Sequence, residues 1–185
     1  LFTDIKTDAK LINSASLSLE DVLEIILNSS EKGLNIARVH TGDPAMYGAI
    51  REQMVALDKA GIEYKVIPGV SSVFAGAAAL KREFTLPGVT QTLILTRMAG
   101  RTPVPEAESI ENLAKIQSSM AIFLSIAGIE ELANKLMTSY PKDTPAAVVY
   151  KASWPDQKII MSTLENIAGE VKSADINKTA LVYVG

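Results

Sequence analysis

The sequence predicts an α/β protein of two domains, the first built on a mostly parallel sheet and the second on a mixed one. Three observations carry this prediction. From residue 18 to residue 80, strand-like apolar runs alternate with segments of helical periodicity across short connections, the pattern of parallel strands with crossover helices. The alternation breaks at "FTLPGV", residues 84–89, which places the boundary between residues 1–87 and 88–185. Beyond it, "AAVVYKAS" and "QKIIMSTL" are consecutive strand runs with no helix between them, which calls for a mixed sheet.

Each element has its own signal. Ser18-Leu19-Glu20-Asp21 fits a capping box, Leu19, Val22, Leu23 and Ile26 follow at helical spacing, and Gly33 is the stop. "NIARVH" is a strand. A helix is expected from Pro44 to about Ala60, with Ile50, Met54 and Leu57 on its apolar face and Gly61 at its end. "EYKVI" is a second strand, closed by Pro68-Gly69, and "SSVFAGAAAL" is a helix whose small residues imply close packing. In the second half, "QTLILTR" is a strand and residues 98–109 form a long loop. A helix covers residues 110–117, "MAIFLS" is a strand and "GIEELANKLMTS" a helix. After the two consecutive strands come the helix "ENIAGEVKSA" and a final strand in "TALVYVG".

Composition excludes several chemistries. The 185 residues carry a formal net charge of −3, with no broad basic footprint for nucleic acid, and 48% are hydrophobic, enough for a sizeable core. There is no cysteine and one histidine, His40, so disulfides, thiolate metal sites and histidine clusters are excluded. The longest apolar runs are too short to span a bilayer, and no signal peptide is visible. The expectation is a cytoplasmic protein without membrane or nucleic-acid partners. The chain opens on Leu1-Phe2-Thr3 and closes on an apolar run, which reads as part of a longer chain.

The stretch "RVHTGDPAMYGAI" joins a strand to a helix. Asp43 is a favoured N-cap, Pro44 suits the first helical position, and Gly42 permits a sharp turn. The turn also lies at the carboxyl end of a strand, the edge of an open α/β sheet where ligands bind, and a helix start there supplies free N–H groups. The second strand ends similarly, in "IPGVSS", with Ser71 and Ser72 opening a helix. Neither a "GxxxxGK" nor a "GxGxxG" phosphate loop is present.

"HTGDPAMYGAI", "VIPGVSSVFAGAAALKREFTLPGV" and "TLILTRMAGRTPVPE" together resemble the tetrapyrrole methylase family, in the same order and over nearly the whole chain. The "LTR…GRTPVPE" combination resembles the branch of that family acting at C-11 of precorrin-4 or cobalt-precorrin-4 in cobalamin biosynthesis. The resemblance implies two α/β domains with S-adenosyl-L-methionine in the cleft between them, S-adenosyl-L-homocysteine as product, a tetrapyrrole substrate and a homodimer. Carried over by position, it implies cofactor contacts from Thr41, Gly42, Asp43, Met46, Ser71 and Ser72, together with Leu124 after the "AIF" strand and Ala152 in the "YKAS" turn. The resemblance further implies that the family's opening strand and its G-x-G-P-G-D turn precede the position that aligns with Leu1, so the first sheet is expected to lack its first strands here. That leaves an unpaired sheet edge.

A tetrapyrrole carries many carboxylates. Arg97 and Arg101 flank the "MAG" turn and are candidate bidentate ligands for them, with Lys81 and Arg82 a second basic pair. Tyr47 is a further candidate substrate contact, against a packing role. His40 reads as an acid–base group or as a buried structural histidine, and Trp154 as a wall of the adenine pocket or a cap on the core. Met46, Met98 and Met120 fit as core filler. No His–Asp or Cys–His pair is present, so no general base is nominated. Two alternatives stand beside precorrin-4 methylation: another methylase of the same fold, and a fragment that binds ligand without turnover.

Overall fold

The computed structural model describes residues 8–185. The chain forms two compact units, Leu1–Gly69 and Val70–Gly185. Residues 70–87, which the sequence groups with the first domain, belong to the second unit.

In the first unit, α1 (Leu19–Glu31) is nucleated as its sequence predicts. The Ser18 hydroxyl accepts from the Asp21 N–H at 3.1 Å and the Asp21 carboxylate accepts from the Ser18 N–H at 2.9 Å. Val22 and Ile26 form its buried stripe, and the helix packs against α2 (Ile50–Lys59). Two expectations are corrected here. The runs at residues 35–40 and 63–67 are not strands: among the described residues of this unit none is in a sheet. A strand exists only through its ladder partner, and these segments have none among the described residues; Val39, Val66 and Ile67 are exposed. The second correction is that the helix expected from Pro44 begins six residues later. Tyr47 (φ +56°) and Ala49 (φ +50°) lie in the left-handed region, which a right-handed helix does not admit, and residues 44–47 form a turn instead.

The second unit is built on a five-stranded mixed sheet. Its strands are β1 (Leu93–Arg97), β2 (Ser119–Phe123), β3 (Pro145–Tyr150), β4 (Lys158–Thr163) and β5 (Ala180–Val184), in the order β1-β2-β5-β3-β4. β1 and β2 are parallel, with Ile94 opposite Met120; every other pairing is antiparallel. Side chains alternate between the faces. Met120, Ile122, Val148, Val182 and Val184 pack with α4 (Ile110–Ala114), α5 (Ile129–Leu136) and α6 (Ile167–Ser173). Ala121, Ala147, Val149, Leu181 and Tyr183 face the other way, against Val73 of α3 (Ser72–Leu80).

The close packing expected of α3 is explicit. A Cβ on Gly76 would stand 1.8 Å from the Tyr183 hydroxyl oxygen. That hydroxyl donates to the carbonyls of Ser72 and Val73, at 2.9 and 3.1 Å. Burial pushes its pKa far above the usual phenol range, so Tyr183 is a neutral donor throughout. The mixed α/β class expected from sequence therefore holds, with all its described strands in the second unit. Among the described residues no helix is long and apolar enough to cross a membrane.

Candidate active site

In the first unit, the turn after residue 40 is closed by one carboxylate. Asp43 Oδ1 accepts from the Ala45 N–H at 2.8 Å, and Oδ2 accepts from the Gly69 N–H at 3.0 Å. The Gly69 N–H, and then that of Ala45, hold the Asp43 carboxyl below its usual range. Asp43 is therefore not the N-cap of a helix. It stitches the "TGDP" turn to the "IPG" turn, two features that sequence reading had found separately. The stitch is tight: Gly42 has φ +71°, and a Cβ on Gly69 would stand 2.1 Å from the Gly42 carbonyl oxygen. Thr41 and Gly42 are exposed. The Met46 N–H donates to the Asp43 carbonyl at 3.2 Å, and Tyr47 is 45% exposed. His40 sits behind the turn, its Nδ1 3.3 Å from where a Cβ on Gly48 would be. Burial, reinforced by Arg38, lowers its pKa, so the ring is biased toward neutrality.

The second unit carries the other candidates. The buried Ser71 caps α3, its hydroxyl accepting from the Val73 N–H at 3.4 Å, and Ser72 offers its carbonyl to Tyr183. Leu124 follows β2 in a left-handed conformation (φ +53°) and is 73% exposed, an unusual state for an apolar residue at a strand end. Ala152 lies in the β3–β4 loop between two residues of positive φ, Lys151 and Ser153, and packs on the sheet face that holds Tyr183. The Lys151 ammonium pairs with Asp156 and lies 5.1 Å from the Tyr150 ring centroid and 5.5 Å from that of Trp154.

Arg97 and Arg101 differ in kind. The Arg97 guanidinium donates to the carbonyls of Met98 (3.2 Å), Thr102 (3.1 Å) and Pro103 (2.9 Å). Arg101 is exposed on the same loop. Sequence reading overlooked Ser125. This buried residue donates its hydroxyl to the Phe123 carbonyl at 2.7 Å and accepts from the Met98 N–H at 2.9 Å. The available signal was a small polar residue directly after the candidate Leu124, at the end of β2. No group of three or more His, Cys, Asp or Glu is placed to hold a metal among the described residues.

Comparison with known proteins matches the chain to one family. The model for Tetrapyrrole (Corrin/Porphyrin) Methylases matches residues 2–168. The chain is 50% identical over 181 residues to the cobalt-precorrin-4 C(11)-methyltransferase of Methanocaldococcus jannaschii, covering 97% of this chain and 70% of that one. It is 44% identical over 176 residues to the precorrin-4 C(11)-methyltransferase of Pseudomonas aeruginosa, covering 95% and 70%. Among solved structures, a cobalt precorrin-4 methyltransferase of cobalamin biosynthesis superposes with a TM-score of 0.93 at 44% identity, over 97% of this chain and 76% of that one. The uroporphyrin-III C-methyl transferase of Thermus thermophilus, complexed with S-adenyl homocysteine, shares the fold at a TM-score of 0.74 and 20% identity, over 90% and 73%.

Proposed function

Because the chain belongs to the tetrapyrrole methylase family, we propose that it methylates C-11 of precorrin-4 or cobalt-precorrin-4, with S-adenosylmethionine as donor. The observation that carries this reading is 50% identity to a cobalt-precorrin-4 C(11)-methyltransferase across 97% of the chain. The "LTR…GRTPVPE" loop supports it from the sequence side.

The residues present fit a cofactor held through backbone groups. Thr41 and Gly42 are exposed, and the Gly69 backbone closes against Gly42 with no room for a side chain. The Asp43 carboxylate is spent inside the turn, so its work is to shape the cradle. In this reading Thr41, Gly42, Asp43 and Met46 of the first unit are proposed cofactor contacts, and so, taken by themselves, are Ser71, Ser72, Leu124 and Ala152 of the second. When bound, S-adenosylmethionine supplies a sulfonium methyl group, which a nucleophilic ring carbon takes by in-line displacement while the C–S electron pair stays on sulfur. The protein's task is then to orient two reactants and exclude water, and orientation of that kind supplies roughly 7–11 kcal/mol in well-aligned systems. Arg101 and Tyr47 are the side chains proposed for the substrate. Arg101 takes a peripheral carboxylate as a bidentate fork. No protein base is assigned.

The chain is further proposed to act as a homodimer, as the family resemblance implies; Ile159 and Met161, exposed on the edge strand β4, supply apolar surface for such assembly. Light scattering of the purified chain reads twice the 19.8 kDa chain mass if this holds. For the reaction, incubation with S-adenosylmethionine and precorrin-4 releases S-adenosylhomocysteine in step with a singly methylated tetrapyrrole. Uroporphyrinogen III in its place gives no product; the reverse preference would assign the chain to another branch of the family.

A further inference from the structure

The loop that follows β1 is tied down more firmly than its Pro- and Gly-containing sequence suggests. Both backbone groups of Met98 are engaged: its N–H donates to the Ser125 hydroxyl and its carbonyl accepts from Arg97. Its side chain is seated as well, since a Cβ on Gly128 would stand 2.8 Å from the Met98 methyl carbon. Further along, the Thr102 carbonyl accepts from both Arg97 and the Gly100 N–H, and the Pro103 carbonyl from Arg97. What these bonds enclose is the short exposed apex Ala99-Gly100-Arg101.

We infer that Arg97 and Ser125 are positioning residues that fix residues 98–103 in one conformation and so present the Arg101 guanidinium to an anionic group of the substrate. Arg97 suits the task because its planar fork reaches three carbonyls on one loop, which the point-like ammonium of lysine does not reproduce. Ser125 suits it because its single hydroxyl bridges the ends of the parallel neighbours β1 and β2: the proton goes to Phe123 and a lone pair faces Met98. The bridge ties the Arg101 loop to the residue after Leu124. Ser125 thus links the loop that carries a proposed substrate contact to the chain position next to a proposed cofactor contact. The identity of the anion rests on the tetrapyrrole reading above; the anchoring of the loop does not.

The two parts are tested separately. Tryptic cleavage after Arg101, followed by mass spectrometry, measures how often the loop opens, with no ligand involved. Arg97→Met and Ser125→Ala are each expected to be cut about tenfold faster than the native chain at unchanged far-UV circular dichroism. Equal rates in Arg97→Met would overturn the anchoring, and so would rescue by Arg97→Lys. Should Ser125→Ala not fold, Arg97→Met alone decides. A double-mutant cycle on tetrapyrrole affinity then separates positioning from direct contact. Arg97→Met and Arg101→Ala each weaken binding about tenfold, and the double variant is no weaker than Arg101→Ala alone. Additive losses would make Arg97 a direct ligand and overturn its positioning role. Absence of tetrapyrrole binding by the native chain would defeat the functional reading, and the proteolysis would still decide the anchor.

Discussion

Asp43 shows how much one side chain decides. Sequence reading placed it at a helix start, because Asp followed by Pro is a common N-cap pattern. The carboxylate instead reaches Gly69, 26 residues away, a partner that no local pattern reveals. The two turns were legible from their glycines and small polar residues; the bond joining them was not. Two expectations belong here. Gly69→Ala places a Cβ 2.1 Å from the Gly42 carbonyl, a backbone atom that cannot swing aside. Titration calorimetry is expected to show S-adenosylhomocysteine bound at least about tenfold more weakly, tenfold being about 1.4 kcal/mol. The Asp43 carboxyl is held below its ordinary pKa of 3.8, so its contribution is present above that value and is lost as pH falls through the depressed folded one. Asp43→Asn is expected to weaken cofactor binding at neutral pH and to remove that acid-side dependence. A native-like affinity in the Asp43→Asn variant would show that the double acceptor is dispensable.

At the scale of elements, the clearest case is α3 on the sheet. The run "SSVFAGAAAL" announced a closely packed helix, and Tyr183 of β5 is what it packs against, through Gly76 and two hydrogen bonds. Tyr183→Phe keeps the ring and loses the donor. It is expected to lower the unfolding free energy by about 1 kcal/mol in chemical denaturation. Leu132, fully buried in α5 against the other face, is a harsher test: Leu132→Ala is expected to cost about 2–5 kcal/mol. The elements of the second unit were legible to within a few residues because each apolar run finds its partners inside the unit. The runs at residues 35–40 and 63–67 carry the same strand-like pattern and form no strands. Apolar patterning says which segments can pair, while the ladder needs a partner that patterning does not supply.

For the molecule as a whole, the α/β class and the mixed sheet followed from the order of runs and from the two consecutive strands. The strand order β1-β2-β5-β3-β4 did not, because inserting the last strand in the middle of the sheet is a long-range choice with no local signature. The family was legible from three short motifs, and the matched model and relatives bear it out. A backbone-shaped cradle, a fixed arginine loop and the lack of an assigned base lead to one claim, that this chain positions a tetrapyrrole for methylation at a single carbon. The most direct test uses S-adenosylmethionine labelled at its methyl carbon, with precorrin-4 as acceptor and nuclear magnetic resonance of the product. The label is expected at C-11 alone. Label at another ring carbon, or a tetrapyrrole left unlabelled by folded protein that binds S-adenosylhomocysteine, would contradict it.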